Sequence, residues 1–300
     1  MPVANDPFDL GNDRAYRAWR DAKLEGYPSS LDEVSIDVDD PRDLTEAERK
    51  ALAGALGRSN FAIYRGRVHG EGKDVPRELG RQLGLTALDR NWLADDDGIS
   101  SITVAARSIR GDFIPYTNRA ISWHTDGYYN PAASRVRAVI LHCVKPAAAG
   151  GSNRLLDHEV AYMMLRDDDP AHVAALMRED AMTIPARLEQ GREVRAAQSG
   201  PVFSVDPATG ALHMRYTART RSIAWSDDPA VTAAVARLER LLEAPSSPVH
   251  AITLGPGMGI VGNNVLHDRS GFTDRPQEPR LVYRARYHDR IAAGSGWRNG

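Results

Sequence analysis

A histidine and an aspartate stand two residues apart in the stretch Trp123–Asn130 of this 300-residue chain. In an extended strand, residues i and i+2 point to the same side, so the side chains of His124 and Asp126 can both reach one metal ion. The pair therefore predicts a strand that presents two metal ligands. Taken alone, it is also compatible with a strand histidine beside a solvated aspartate.

A third metal ligand is available far downstream, at His267. Two imidazoles and one carboxylate on one face of an octahedral ion leave three coordination positions open, which is the ligand set of non-haem Fe(II) oxygenases. We therefore predict that His124, Asp126 and His267 bind the metal and form the catalytic centre. A zinc hydrolase with the same three ligands is a competing hypothesis.

Strands are predicted for much of the chain beyond residue 95. Ile99–Val104 and Tyr116–His124 are two of them, and Val136–Val144 is a nearly continuous apolar run, as expected inside a barrel or sandwich. Helices dominate the first part, and Thr45 with Glu48 three residues later has the pattern of a capping box that begins one of them. The pattern predicts a mainly β fold with α-helices, of the α+β class.

We find no internal repeat and no linker, so we expect a single domain over residues 1–300. Its helical part would cover about 1–95 and its β-rich core about 96–290.

The composition is that of an ordinary globular protein, with 42% hydrophobic and 26% charged residues and a net charge of −2. This charge argues against a general binder of nucleic acids or of anionic membranes. The one cysteine, Cys143, lies in the apolar run and is predicted to be a buried, inert thiol. No apolar stretch approaches the length of a membrane span, and Met1–Asp6 lacks the features of a secretory signal, so we expect a cytoplasmic protein.

Three arginines alternate along the predicted strand near the end of the chain, at Arg280, Arg284 and Arg286. Alternation places them on one face, which is costly unless that face meets water or anions. Arg280 can pair bidentately with one end of a dicarboxylate, and Arg284 can bind an anionic group of a substrate. The alternatives are a solvated exterior for this face, or pairing of Arg284 with an internal acid such as Asp157 or Glu159.

Together, these motifs resemble those of the Fe(II)/2-oxoglutarate dioxygenases of the taurine-dioxygenase superfamily. The resemblance runs in order from about residue 122 to 286 and rests on His124-Thr125-Asp126, the Gly150-Gly151 turn, His267, Arg280 13 residues later, and Arg284. It implies a double-stranded β-helix (jelly-roll) core with helices packed outside. Some segments are similar to the glutarate-hydroxylating branch. That branch has Gly-Arg after its last metal ligand, where this chain has Asp268-Arg269. Glutarate is therefore not inferred to be the substrate.

The resemblance also implies Fe(II) as cofactor, with 2-oxoglutarate and O2 as cosubstrates. The keto acid end of 2-oxoglutarate would bind the iron, and its other carboxylate would bind Arg280 with support from Asn153 or Ser152. A small, anionic metabolite would be oxidised, by hydroxylation in the first instance, with release of succinate and CO2. Because Asp126 is present, the halogenase variant of this chemistry is disfavoured.

Candidate substrate contacts follow from the same resemblance. Tyr129 aligns with an aromatic residue of the substrate pocket, Tyr128 and Asn130 are its neighbours, and Tyr216 is placed on the opposite wall; aromatic residues near a core also often serve only to fill it. The expected partner is a small molecule held in part by Arg284, with neither nucleic acid nor membrane, and homo-oligomerisation is left open. A non-catalytic small-ligand binder on the same fold is the remaining alternative.

Overall fold

The computed structural model describes residues 6–68, 70–90, 94–105 and 109–292. Residues 1–5, which belong to the stretch used above to predict the absence of a secretory signal, lie outside the described residues. The chain divides into two compact units. Unit 1 comprises Met1–Tyr27, Trp123–Arg135 and Leu156–Val249, and unit 2 comprises Pro28–Ser122, Val136–Leu155 and His250–Gly300. The expectation of a single domain over the whole chain stays a prediction.

Six α-helices lie in the described part of the chain: α1 Asp13–Glu25, α2 Glu46–Ser59, α3 Asp74–Gln82, α4 His158–Asp168, α5 Pro170–Leu176 and α6 Pro229–Leu242. The capping box predicted at the start of α2 is confirmed. Thr45 Oγ1 accepts a hydrogen bond from the Glu48 amide, and the Glu48 carboxylate accepts one from the Thr45 amide at 2.8 Å. These two bonds satisfy backbone N–H groups that would otherwise lack partners at the helix start.

Nineteen strands follow one another along the described residues: β1 Ser35–Val38, β2 Phe61–Gly66, β3 Ser100–Ile102, β4 Ile121–His124, β5 Ala138–Lys145, β6 Ala149–Gly150, β7 Asn153–Leu156, β8 Met182–Ile184, β9 Arg187–Glu189, β10 Arg192–Arg195, β11 Gln198–Gly200, β12 Phe203–Val205, β13 Leu212–Met214, β14 Ala224–Trp225, β15 His250–Ile252, β16 Met258–Gly262, β17 Leu266–Arg269, β18 Phe272–Thr273 and β19 Leu281–Tyr287.

Unit 2 contains a six-stranded sheet in the order β1-β2-β16-β5-β19-β3. Only β1 and β2 run parallel within it; the other neighbours are antiparallel. The predicted apolar strand is confirmed as β5, which lies between β16 and β19. On it, Cys143 is 1% exposed, so the predicted burial of this cysteine is confirmed, and burial raises the pKa of its thiol to about 11. Strands β15, β7 and β17 lie side by side in a second sheet, and β6 pairs with β18.

Unit 1 combines helices α1, α4, α5 and α6 with small sheets. One has the order β11-β8-β14, and the other two are the hairpins β9–β10 and β12–β13. An aromatic cluster fills part of its interior, where the ring centroids of Phe8, Trp19 and Tyr162 lie 5.0 to 6.2 Å apart. The ammonium group of Lys23 binds both Asp157 and Glu159, at 2.8 and 2.6 Å. Those two acids, considered above as partners of Arg284, thus share an ion pair with Lys23 inside unit 1.

The predicted fold class, mainly β with α-helices, is confirmed. Two strand predictions were too long: β3 covers only Ser100–Ile102, and β4 only Ile121–His124, preceded by a 3-10 turn at Ile114–Tyr116. Within the described residues, no helix is both long and apolar enough to cross a membrane.

Candidate active site

His124 and Asp126 lie in unit 1, at the end of β4 and just after it. His124 is 8% exposed and bridges to Thr217, while the Thr125 amide donates to the Tyr216 carbonyl at 3.0 Å. Asp126 is 5% exposed and begins the turn that follows the strand. The prediction that both residues lie within a strand is therefore wrong for Asp126. The turn continues through Gly127, whose positive φ of 67° suits a residue without a side chain.

His267 lies in unit 2 on β17 and is 9% exposed. Its Nδ1 is 3.0 Å from the carbonyl oxygen of Val265. Because a carbonyl oxygen only accepts, Nδ1 is the donor in this pair, which leaves Nε2 as the ring nitrogen that could bind a metal. Metal-binding histidines are commonly oriented in this way by a backbone carbonyl. The tautomer of His267 thus fits a metal ligand.

The residues after His267 are held firmly within unit 2. The guanidinium group of Arg154 binds the Asp268 carboxylate through Nε at 2.8 Å and through Nη2 at 2.7 Å. Arg269 donates to the backbone carbonyls of Pro115, Thr117 and Arg119. The Asp268-Arg269 pair, which departs from the Gly-Arg of the glutarate branch, therefore has a structural role that the sequence did not reveal.

The predicted metal ligands come from both units, with two in unit 1 and His267 in unit 2. Among the described residues, no group of three or more His, Cys, Asp or Glu side chains that could hold a metal ion is found. Two imidazoles and a carboxylate suit Fe(II) by donor chemistry, and the tautomer of His267 agrees with it. The three-ligand set stays a prediction.

Arg280 is the best-defined candidate for binding a cosubstrate. Its side chain is 7% exposed, its guanidinium carbon lies 5.2 Å from the centre of the Phe272 ring, and a Cβ added to Gly151 would be 3.6 Å from its Nε. Burial lowers the pKa of Arg280. Over the described part of the chain, no carboxylate forms an ion pair with it; the Asp274 carboxylate binds its backbone amide instead, at 2.9 Å. A buried cation without a counter-ion is costly, so this surrounding favours an anionic ligand.

Asn153 and Ser152 lie on the neighbouring segment of unit 2. The Asn153 Nδ2 group donates to the Asp268 carbonyl at 2.8 Å, while its Oδ1 is buried and has no hydrogen-bond partner among the described residues. The Ser152 hydroxyl donates to the Ile252 carbonyl at 3.2 Å. Of the two, Asn153 has more capacity for a further partner, since one of its polar atoms is unsatisfied.

Arg284 and Arg286 lie on β19 of unit 2, the strand between β5 and the edge strand β3. Arg284 is half-buried and faces Ser100 and Leu141 of the neighbouring strands. Arg286 is 2% exposed and forms an ion pair of 2.5 Å with Asp89. The interpretation of this face as a solvated exterior is therefore wrong for Arg286, because a buried carboxylate neutralises it. The anion-binding role of Arg284 stays a prediction.

The predicted substrate contacts of unit 1 lie in the turn after Asp126. Tyr128 and Tyr129 are half-buried, with ring centroids 5.3 Å apart in an edge-to-face arrangement. Asn130 donates from Nδ2 to the Ser134 carbonyl at 2.9 Å, which stabilises the turn. Tyr216 is fully buried, and its hydroxyl has no hydrogen-bond partner in the described part of the chain. All four roles in substrate binding stay predictions.

Three arginines that sequence analysis missed surround this turn. Arg219 Nη1 donates to the Tyr128 hydroxyl at 2.8 Å, and Arg195 Nη1 donates to the Tyr129 carbonyl at 3.3 Å. Arg215 Nε donates to the Tyr128 carbonyl at 2.7 Å. The sequence offered one signal, since Arg215 immediately precedes the predicted substrate contact Tyr216. The other two come from distant segments with no motif.

Solved structures with the same fold are oxygenases. Asparagine oxygenase in complex with Fe(II), 2S,3S-3-hydroxyasparagine and succinate matches with a TM-score of 0.56 at 14% identity, over 85% of this chain and 93% of that chain. A taurine dioxygenase from Burkholderia xenovorans matches with a TM-score of 0.56 at 20% identity, over 87% of this chain and 89% of that chain. At these identities the likeness establishes the fold alone.

The sequence comparison identifies the family. The model of the taurine catabolism dioxygenase TauD, TfdA family matches residues 22–286, and the chain belongs to this family. The predicted resemblance to taurine dioxygenases and the predicted enzyme class, an oxidoreductase, are thereby confirmed.

Two relatives are uridine-5′-phosphate dioxygenases. One from Amycolatopsis sp is 33% identical over 170 residues, and one from Streptomyces sp is 30% identical over 196 residues. The alignments cover 55% and 64% of this chain, and 60% and 69% of the respective relatives.

Proposed function

We propose that this protein is an Fe(II)- and 2-oxoglutarate-dependent oxygenase that hydroxylates a small anionic metabolite. His124, Asp126 and His267 would hold the iron on a jelly-roll core. The iron, when bound, supplies the oxidation of a substrate C–H bond by O2, coupled to the conversion of 2-oxoglutarate into succinate and CO2. One oxygen atom enters the substrate and the other enters succinate, so the reaction is balanced without a further reductant.

The observation that carries the proposal is the buried, positively charged Arg280 without a carboxylate partner among the described residues. A planar guanidinium group binds a carboxylate with two parallel hydrogen bonds and so fixes the orientation of a small dicarboxylate. Arg280 would bind the distal carboxylate of 2-oxoglutarate, with the Phe272 ring against its cationic face. Asn153, or Ser152, would support the same carboxylate. The zinc-hydrolase hypothesis accounts for the three ligands but not for this buried cation.

The substrate is proposed to be a phosphorylated or carboxylated small metabolite. Both relatives named above act on uridine 5′-phosphate according to their names, which makes a nucleoside monophosphate the first compound to test. Arg284 would bind a carboxylate group of the substrate, where the substrate carries one, and the half-buried rings of Tyr128 and Tyr129 would contact its apolar or aromatic part. Asn130 and Tyr216 complete the proposed set of substrate contacts. We propose a cytoplasmic location for this enzyme.

The test is an anaerobic titration of the full chain with Fe(II) and 2-oxoglutarate, followed by visible absorption. Bidentate binding of the keto acid to the iron gives a weak metal-to-ligand charge-transfer band, and we expect this band to saturate with one equivalent of each. Addition of O2 and uridine 5′-phosphate should then release succinate. If no band forms, and zinc alone supports hydrolysis of an ester or amide panel, the hydrolase hypothesis replaces this one.

A further inference from the structure

Unit 1 contains a group of arginines whose positive charge is not balanced by nearby acids. Arg195, Arg215 and Arg219 each donate to the pair Tyr128–Tyr129, and none of the three forms an ion pair with a carboxylate within the described residues. Other arginines of this unit do. Arg237, for example, binds both oxygens of Asp168 at 2.7 and 2.5 Å. The chain as a whole has more acids than bases, so this local excess of positive charge is unusual for it.

The three arginines have different hydrogen-bonding capacities. Arg215 uses most of its capacity within the protein, because four of its five N–H groups donate to the backbone carbonyls of Tyr128, Met182, Gln198 and Gly200. Burial, together with the positive charges of Arg135 and Arg195, lowers its pKa to about 10. Arg215 therefore holds the turn in place and has at most one N–H group left for a ligand.

Arg195 and Arg219 have donors to spare. Arg195 uses Nη1 for the Tyr129 carbonyl and Nη2 for the Pro185 carbonyl at 2.7 Å, and its guanidinium carbon lies 6.0 Å from the centre of the Tyr129 ring. Burial lowers its pKa, and the neighbouring charge of Arg187 lowers it further. Arg219 is exposed and makes one bond, to the Tyr128 hydroxyl. A guanidinium group has five N–H donors, so both can bind an additional anion.

We propose that Arg195, Arg219 and the Tyr128 hydroxyl form a recognition site for the phosphate group of the substrate, with Arg215 as the positioning residue. A phosphomonoester carries up to two negative charges and three terminal oxygens, which two guanidinium groups and one hydroxyl can match. A carboxylate has one charge and two oxygens, and would leave one cation unbalanced. The proposal rests on the proposed function, because it names the substrate class and adds residues to the same turn that begins at Asp126.

The site is built so that substrate contact and metal ligand share one segment. Asp126 and Tyr128 are two residues apart, and Arg215 donates to the backbone carbonyl of Tyr128. Arg195 is the last residue of the hairpin β9–β10, whose two-residue turn at Gln190 and Gly191 has positive φ values of 50° and 80°. An isolated two-stranded hairpin is only marginally stable in water, so a bound anion would also stabilise its position.

The experiment is calorimetric titration of the full chain, loaded anaerobically with Fe(II) and 2-oxoglutarate, with uridine 5′-phosphate and with uridine. For Arg195→Ala and for Arg219→Ala, we expect the Kd of uridine 5′-phosphate to rise roughly 10- to 100-fold, the size expected for a lost charge-assisted hydrogen bond. The Kd of uridine should stay within about twofold, and so should the charge-transfer band of iron and 2-oxoglutarate. Arg195→Lys should restore part of the loss. Arg237→Ala is the matched control, because that arginine already has an acid partner in the same unit.

Different results would overturn different claims. If both variants bind uridine 5′-phosphate like the Arg237→Ala control, or lose uridine and uridine 5′-phosphate equally, the phosphate site is wrong. It is also wrong if the unchanged protein binds iron and 2-oxoglutarate but binds uridine and uridine 5′-phosphate with the same Kd. If instead the charge-transfer band never forms while phosphate-dependent binding requires Arg195 and Arg219, the proposed oxygenase function fails and the phosphate site stands.

Discussion

Arg280 in unit 2 and Arg195 in unit 1 both lack a carboxylate partner among the described residues, yet their surroundings differ. Arg280 is buried directly before β19, a strand with hydrogen-bonded neighbours on both sides. Arg195 ends a hairpin that exposes Leu188 and Val194 to solvent at 63% and 48%. A guanidinium group on a rigid sheet suits a ligand that is the same in every turnover. One on a small hairpin suits a ligand that enters and leaves, or that differs between relatives.

The largest effect should come from the predicted metal ligands, which belong to both units. We expect His124→Ala, Asp126→Ala and His267→Ala each to abolish succinate production while the thermal unfolding temperature stays near that of the unchanged protein. Loss of one of three ligands removes most of the affinity for the ion. Metal content and turnover are measured together. A variant that keeps near-normal turnover would remove that residue from the ligand set.

The second largest effect tests Arg280, the arginine next to the hydrogen-bonded strand β19. We expect Arg280→Ala to weaken 2-oxoglutarate by roughly 30-fold or more, because loss of one partner of a desolvated charge pair costs about 2–5 kcal/mol. Arg280→Lys should recover only part, since an ammonium group cannot form two parallel hydrogen bonds. Titration of the charge-transfer band measures both. Arg275→Ala is the control, because Arg275 is exposed and paired with Glu278 in the same unit. An unchanged 2-oxoglutarate dependence in Arg280→Ala would refute its role.

Arg284 provides a second test in the same part of unit 2. It lies on β19, which begins directly after Arg280, but it is only half-buried. We expect Arg284→Ala to raise the KM of the substrate roughly 10-fold or more through the loss of a charge-assisted hydrogen bond. The affinity for 2-oxoglutarate should stay nearly unchanged. Steady-state kinetics with each compound varied in turn provides the measurement. Equal losses for both compounds, or a lower unfolding temperature alone, would favour a structural role.

The smallest effect concerns a region of unit 2 where cations are already neutralised. Burial alone would raise the pKa of Asp95, but hydrogen bonds from Lys73, Ser101 and Arg110 outweigh it and lower the pKa from 3.8 to about 2. A depressed carboxyl pKa stabilises the folded state above the unfolded value, and this contribution is lost as pH falls from about 4 towards 2. Asp95→Asn should therefore cost about 1 kcal/mol near neutral pH, a value reduced for the partial solvation of the group.

Chemical unfolding at several pH values tests this last prediction. The difference in unfolding free energy between the unchanged protein and Asp95→Asn should shrink as the pH is lowered from about 5 to about 2. A difference that is constant over this range would show that the charge of Asp95 does not contribute. It would also mean that the paired cations around Asp95 and the unpaired Arg280 differ less in their contribution to stability than their contacts indicate.

Local features of this protein were determined by the sequence alone. The capping box of Thr45 and Glu48 depends on residues three apart, so no distant contact is needed to predict it. The apolar run that became β5 also predicted its own burial, including that of Cys143, because a continuous apolar stretch has no solvent-facing side. The order of the family motifs likewise depends only on the sequence, and it predicted the family that the comparison confirmed.

Tertiary structure decided which polar groups meet. The pairing of Arg154 with Asp268, of Arg286 with Asp89, and of Lys23 with Asp157 joins residues far apart in the chain, and no spacing rule specifies such partners. The same holds for Arg195 and Arg219, which reach the tyrosine turn from separate segments. A charged side chain can be neutralised by any acid that the fold brings near it. Whether an arginine is left available for a ligand is therefore settled only when the strands and turns have been brought together.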